Sequence, residues 1–132
     1  MVVALIAIAS GVVSLSLRDG TATRLELDGV RLAALLESAR AEARASGLAA
    51  RWQPTPQDSE AQFRFIGLPP ALELPQRWLD ANTLAEVVGA SAVVLGPEPM
   101  IGAQRIVLRL GNERLELASD GLGPFAVAAA QP

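Results

Sequence analysis

The stretch ATRLELDGVRLAALLESARAEARAS, residues 22–46, decides how this chain reads. Leu25, Gly29, Leu32, Leu36, Ala39 and Ala43 recur at intervals of three and four, and Leu35 widens the stripe. That spacing predicts an amphipathic helix with one apolar side. The other side carries Arg24, Asp28, Arg31, Glu37, Arg40 and Arg44. Arg24 with Asp28, Asp28 with Arg31, and Glu37 with Arg40 stand one turn apart, where ion pairs contribute about 0.2–0.5 kcal/mol each. Thr21 or Thr23 suits the start as a cap, and Ser46-Gly47 suits the end, with Gly free to adopt the left-handed conformation. A helix with one apolar face needs a second surface to cover it.

The chain after Gly47 supplies that surface. LAARWQ (48–53) alternates, with Leu48, Ala50 and Trp52 on one side and Arg51 on the other. AQFRFIG (61–67) alternates again, placing Ala61, Phe63 and Phe65 opposite Gln62 and Arg64. The proline-bearing loop between them makes the two runs an antiparallel pair. LPPALELPQRWLD (68–80) is irregular or edge structure, because its prolines cannot donate to a ladder. Residues 81–92 carry no assignable pattern, and Ala92–Leu95 reads as a short strand. Gly111-Asn112 joins RIVLRL (105–110) to ERLELAS (113–119) as a hairpin, SDGLGP is a turn, and FAVAAA is a last strand. The expected class is therefore α+β: a long N-terminal helix packed on an antiparallel sheet or two-sheet sandwich. The chain divides into an apolar segment 1–17, an amphipathic helix 18–47, and a β-rich head 48–132. Arg18-Asp19-Gly20 is expected to form a turn or kink between the two helical pieces.

Composition removes several chemistries. The chain has no His and no Cys, so neither Ser-His-Asp nor Cys-His nucleophiles nor the usual zinc sites can be built. The net charge of −3 is a poor match for nucleic acid, whose binding rests on cationic neutralisation of phosphates. GLGP (121–124) runs into a proline and a strand, so it is a turn and no phosphate loop. Asp58, Glu73, Glu98, Glu113, Glu116 and Asp120 remain as carboxylates; they read as solvated groups, with Asp120 a turn former and Glu113 and Glu116 pairing with Arg109 and Arg114 across the hairpin. Asp58 and Asp120 lack the clustered oxygen ligands that calcium requires. Trp52, Trp78, Phe63, Phe65 and Phe125 are expected in the core. No catalytic, cofactor-binding or metal-ligating residue is assigned, and no enzymatic activity is expected.

MVVALIAIASGVVSLSL (1–17) is uncharged throughout. It lacks the basic n-region of a secretory signal and runs into a second long helix. At about 1.5 Å per residue it spans roughly 25 Å, a few residues short of the roughly 30 Å hydrocarbon core.

This run resembles the apolar helix of type IV pilins and type II secretion pseudopilins. RLAALLESARAEARASG (31–47), RW (51–52), FRF (63–65), the Leu-Pro and Arg-Trp pieces, and IVLRLGNERLELASDGLGPFAV (106–127) together resemble the minor pseudopilin H (GspH) family, which includes the pilus protein FimT. The similarity extends over essentially the whole chain. It implies a pilin-like fold and a structural, non-catalytic subunit of the type II secretion pseudopilus, placed at or near the tip. It implies a single-pass anchor in the inner membrane of a Gram-negative bacterium, a periplasmic head, and other major and minor pseudopilins as partners. No small-molecule substrate or cofactor is implied. The family's Gly-Phe-Thr-Leu-x-Glu signature does not occur in residues 1–132. The expectation is that Met1 marks about the seventh residue of the family's helix, and six further residues would lengthen it to roughly 34 Å. The membrane and filament packing positions implied are Val2, Val3, Ala4, Leu5, Ile6, Ala7, Ile8, Gly11, Val12, Val13, Leu15 and Leu17. Among them and their neighbours Ala4, Ala7, Ser10, Gly11 and Ser14 are small enough for close helix approach. Leu25, Leu32, Leu35, Leu36, Ala39, Trp52, Phe63 and Phe65 are expected to join helix to sheet. The alternative is a FimT-like pilus protein that binds DNA; the acidic charge and the absence of basic residues after Arg114 weigh against it.

Overall fold

A computed structural model describes residues 2–56, 60–69, 71–98 and 101–131, with the side chains of 2–19 and 129–131 outside that description. One helix, α1 (Val2–Ser46), precedes seven strands. They are β1 (Arg51–Pro54), β2 (Phe63–Ile66), β3 (Leu84–Val87), β4 (Val93–Val94), β5 (Gln104–Leu110), β6 (Glu113–Ser119) and β7 (Ala126–Gln131). All pairings are antiparallel, in a three-stranded sheet of order β2-β1-β4 and a four-stranded sheet of order β3-β5-β6-β7. The molecule is α+β, with one N-terminal helix packed on two antiparallel sheets.

Of the expected turn or kink at Arg18-Asp19-Gly20, the turn does not form: the helix is continuous through these residues. A single interior glycine costs a helix only about 1 kcal/mol, which its neighbours offset. Thr21 and Thr23 are consequently interior and cap nothing. The C-terminal end is as expected: Gly47 has φ of 63°, and the Leu48 amide donates to the Ala43 carbonyl at 2.9 Å, a Schellman closure.

One core joins the layers. Leu25, Leu32, Leu36, Ala39 and Ala43 are buried, with Leu35 partly buried against them. They meet Ile106, Leu108, Leu115 and Leu117, the inward-facing residues of β5 and β6. Gly29 sits where α1 packs on β6, and a Cβ there would overlap the Leu115 side chain. The small sheet contributes an aromatic cluster. Trp52 and Phe63 are fully buried, with centroids 5.7 Å apart, and the Trp78 ring lies tilted against Phe63 with centroids 4.7 Å apart. Phe65 is partly buried at the edge of this cluster, and Phe125 is buried at the start of β7.

The hairpin β5–β6 has Gly111-Asn112 as its two central residues, with Leu110 opposite Glu113. Gly111 takes φ of 61° and Asn112 does not take a positive φ, the pattern of a type II′ turn. Residues 81–92, unassigned from sequence, contain β3. Its alternation is masked by small residues and by Thr83, which is buried for a polar reason described below.

Candidate interaction surface

The polar side of α1 is organised differently from the sequence pattern. Asp28 and Arg40 are buried, at 0% and 3% exposure, although the helical pattern places both on the solvent side. Asp28 makes no intrahelical ion pair with Arg24 or Arg31. Its Oδ1 accepts the Leu79 amide at 2.7 Å, and its Oδ2 accepts the Thr83 hydroxyl at 2.9 Å and the Asp80 amide at 3.4 Å. One carboxylate thus pins the 79–83 segment that leads into β3. Arg24 pairs instead with Asp80 at 3.3 Å, and Arg31 donates to the Arg77 carbonyl at 2.7 Å. Arg40 pairs with Glu37 at 3.5 Å, as its spacing predicts, but it also reaches across the molecule. Its guanidinium donates to the Gly123 carbonyl at 2.6 Å and to the Leu122 carbonyl at 3.4 Å. That fixes the 120–124 loop ahead of β7.

The same loop is tied from within. Asp120 Oδ1 accepts the Leu122 amide at 2.9 Å and the Gly123 amide at 2.8 Å, and the Ser119 hydroxyl donates to the Gly123 carbonyl at 2.9 Å. The Gly123 and Leu122 amides, in that order, hold the Asp120 carboxyl below its ordinary value. Asp120 is therefore the turn former that its sequence context indicates.

With Asp28 and Arg40 turned inward, the exposed side of α1 has an uncharged centre. Thr23, Leu27, Val30, Ala34, Ser38, Ala41 and Ala45 are all exposed. Their spacing is 4-3-4 taken twice, an 11-residue period close to that of a straight helix, so they form one continuous stripe opposite the core. Glu26, Glu37 and Arg44 border it on one flank, and Arg24, Arg31 and Glu42 on the other. Leu27 and Val30 are each 55% exposed, and Leu79, beside Leu27, is 62% exposed. Sequence reading missed this second stripe because the stronger leucine stripe dominates the pattern.

On the outer face of the larger sheet, ion pairing also departs from expectation. Glu116 pairs with Arg105 at 3.3 Å, and Arg109 pairs with Glu86 of β3 at 3.8 Å. Arg109 and Arg114 stand directly opposite each other in the register. Glu73, Glu98 and Asp120 are exposed, and Glu113 and Glu116 half-buried. Asp58 lies outside the described residues. Among the described residues no group of three Asp or Glu is placed to hold a metal ion. Among them, too, no helix is long and apolar enough to cross a membrane. The side chains expected to pack in membrane or filament, from Val2 to Leu17, lie outside the described set. No protein-family model, curated protein or solved structure matches the chain.

Proposed function

We propose that this chain is a structural subunit of a pilin-like assembly, specifically a minor pseudopilin of the type II secretion pseudopilus acting at or near its tip. The observation that carries this reading is the uncharged stripe Thr23–Ala45 on the side of α1 facing away from the head. A helix that served only to complete its own domain would gain nothing from a second uncharged face in water. A helix that packs against other helices needs one, and Ala34, Ser38, Ala41 and Ala45 permit the short interaxial distances of such packing. The apolar run 1–17 continues the same helix and serves, in this reading, as inner-membrane anchor before assembly and as filament contact after it. The similarity of residues 31–47 and 106–127 to the pseudopilin H family supports the specific assignment. The partners are then other pseudopilins, and the head lies in the periplasm.

The test is complementation of a deletion strain, scored by exoprotein in the culture medium. The wild-type gene restores export; Leu27→Asp and Ala34→Glu do not, although both positions are exposed and the variant heads fold normally. Because the chain has no Cys, Ala34→Cys also gives a single-site cross-link to neighbouring pseudopilins. Intact export in the deletion strain, or salt-sensitive DNA retardation by the purified chain, overturns the reading.

A further inference from the structure

The smaller sheet turns one face to the core and the other to solvent. Trp52, Phe63 and Val93 point inward and are fully buried. By strand alternation Arg51 and Gln53 of β1, Arg64 and Ile66 of β2, and Val94 of β4 point outward. Arg51, Arg64 and Val94 are exposed, and Gln53 and Ile66 are half-buried. The register sets these residues in two rows. Arg51 stands between Ile66 on one neighbour and Val94 on the other, and in the next row Gln53 stands opposite Arg64.

This face carries cations and no carboxylate. No Asp or Glu occurs in residues 43–57, 61–72 or 87–97, which hold all three strands, although the whole chain has 14 acidic residues against 11 basic. Among the described residues neither Arg51 nor Arg64 makes an ion pair. The larger sheet is the contrast: on its outer face Arg105 and Arg109 are matched by Glu116 and Glu86 of neighbouring strands. The acids nearest along the chain are Asp58 and Glu60, between β1 and β2. The Thr55 amide donates to the Gln62 carbonyl at 3.1 Å, so the ladder runs on past Pro54 and Phe63, and Arg51 sits at its opposite end. Ile66 and Val94 flank the Arg51 stem and lower the dielectric in which a pair with its guanidinium would form.

We infer that the outer face of the smaller sheet is a docking site for an acidic, extended segment of a partner protein, with two carboxylates two residues apart. Charge complementarity carries the inference: the face holds two uncompensated guanidiniums, and a partner carboxylate supplies what the sheet lacks. Their spacing sets the pattern. Arg51 and Arg64 are diagonal neighbours on adjacent strands, about 7–8 Å apart. Side chains two residues apart on an extended segment share a face at about 6.6 Å, a close match. Helical neighbours, at about 5–6 Å, match less well. Gln53, next to Arg51 on β1 and opposite Arg64, adds a neutral donor between the two cations. Nucleic acid and anionic lipid are poorer occupants. Both draw on many cations spread over a wide surface, and this chain has a net charge of −3.

The probe is the peptide acetyl-Thr-Glu-Thr-Glu-Thr-amide, titrated into the full-length, isotope-labelled chain in zwitterionic detergent at low salt. The Nε–H signals of Arg51 and Arg64 are expected to move saturably, and the shifts to shrink as salt is added. A peptide with its two Glu adjacent turns them to opposite faces and is expected to bind about fourfold more weakly. The Gln-for-Glu peptide is expected to give no shift. Arg51→Glu combined with Arg64→Glu, both exposed positions, reverses the preference in favour of the Lys-Thr-Lys peptide, whereas Arg105→Gln on the larger sheet leaves binding unchanged. Absent shifts, equal affinity for spaced and adjacent Glu, or an unreversed preference in the double variant overturn the inference. So do tighter binding of duplex DNA or anionic vesicles at the same two arginines, and a concentration-dependent oligomer that is lost in Glu60→Gln, which would make the occupant a second copy. None of these readouts depends on the secretion assay, so the two proposals fail separately.

Discussion

The Thr83 hydroxyl donates to the Asp28 carboxylate at 2.9 Å across fifty-five positions of sequence. Both groups are buried, at 1% and 0% exposure. This bond and those from the Leu79 and Asp80 amides set where β3 begins. Asp28→Ala leaves three donors without their acceptor, the buried Thr83 hydroxyl among them, and is expected to cost on the order of 2–4 kcal/mol in urea denaturation. Asp28→Asn keeps one carbonyl acceptor and is expected to cost roughly half as much. Equal stability of Asp28→Ala and wild type would mean that the segment is held by packing alone.

Gly29 makes a second, opposite prediction about the same helix. An alanine in a helix is ordinarily worth about 1 kcal/mol over glycine. Here the added methyl falls on the Leu115 side chain, which is 1% exposed and cannot swing into solvent. Overpacking of this kind costs about 1–3 kcal/mol, so Gly29→Ala is expected to destabilise in spite of its propensity. Leu115→Val in the same chain makes room and is expected to recover most of the loss. A double-mutant cycle by thermal or urea unfolding measures the coupling.

These two residues also show what could and could not be read from sequence. Leu25, Leu32 and Leu36 announced a helix through their period, and Gly111-Asn112 announced a hairpin through its backbone freedom; both signals are local. Asp28 carries the same local signal as Arg24 or Glu37, a charge on a helix flank, yet its partners lie at 79–83. Nothing in the spacing of residues 22–46 encodes a contact made fifty residues away. β3 was illegible for a related reason. LAEV has one charge and one alanine in four positions, and its place is fixed by β5 and by Asp28 instead of by its own pattern. The exposed stripe was present in the sequence at full length, but it becomes meaningful only once Asp28 and Arg40 are known to face inward.

Arg40 holds the other end of the core surface. Its bond to the Gly123 carbonyl, at 2.6 Å, is charge-assisted and largely shielded from water, a class worth about 1.5–3 kcal/mol, and the Leu122 carbonyl at 3.4 Å adds a weaker one. Arg40→Met keeps the aliphatic volume and loses the donors. The expected result is destabilisation of about 2 kcal/mol, with amide exchange accelerated selectively at Gly121–Gly123 and unchanged at the hairpin turn Gly111-Asn112. Uniform acceleration over the whole chain would show that Arg40 supports the core generally and does not specifically hold the loop.

Asp120 gives that loop a pH dependence whose sign follows from its bonds. The Gly123 and Leu122 amides stabilise the ionised carboxylate and hold its pKa below the ordinary 3.8. A carboxyl whose folded pKa is depressed contributes its stability above the unfolded value and loses it as pH falls through the lower, folded value. The loop is therefore expected to be fully formed at pH 5. Its amides at Leu122 and Gly123 should shift, in an acid titration followed by NMR, with a midpoint below 3.8. Asp120→Asn retains a carbonyl acceptor but no titrating group, so the acid shift at those two amides should vanish while the loop persists at neutral pH. A midpoint at or above the ordinary value, or a shift that survives in Asp120→Asn, would assign the transition to another carboxylate. The side chain is exposed, so the effect should be confined to residues 119–124 and leave the unfolding midpoint at neutral pH nearly unchanged.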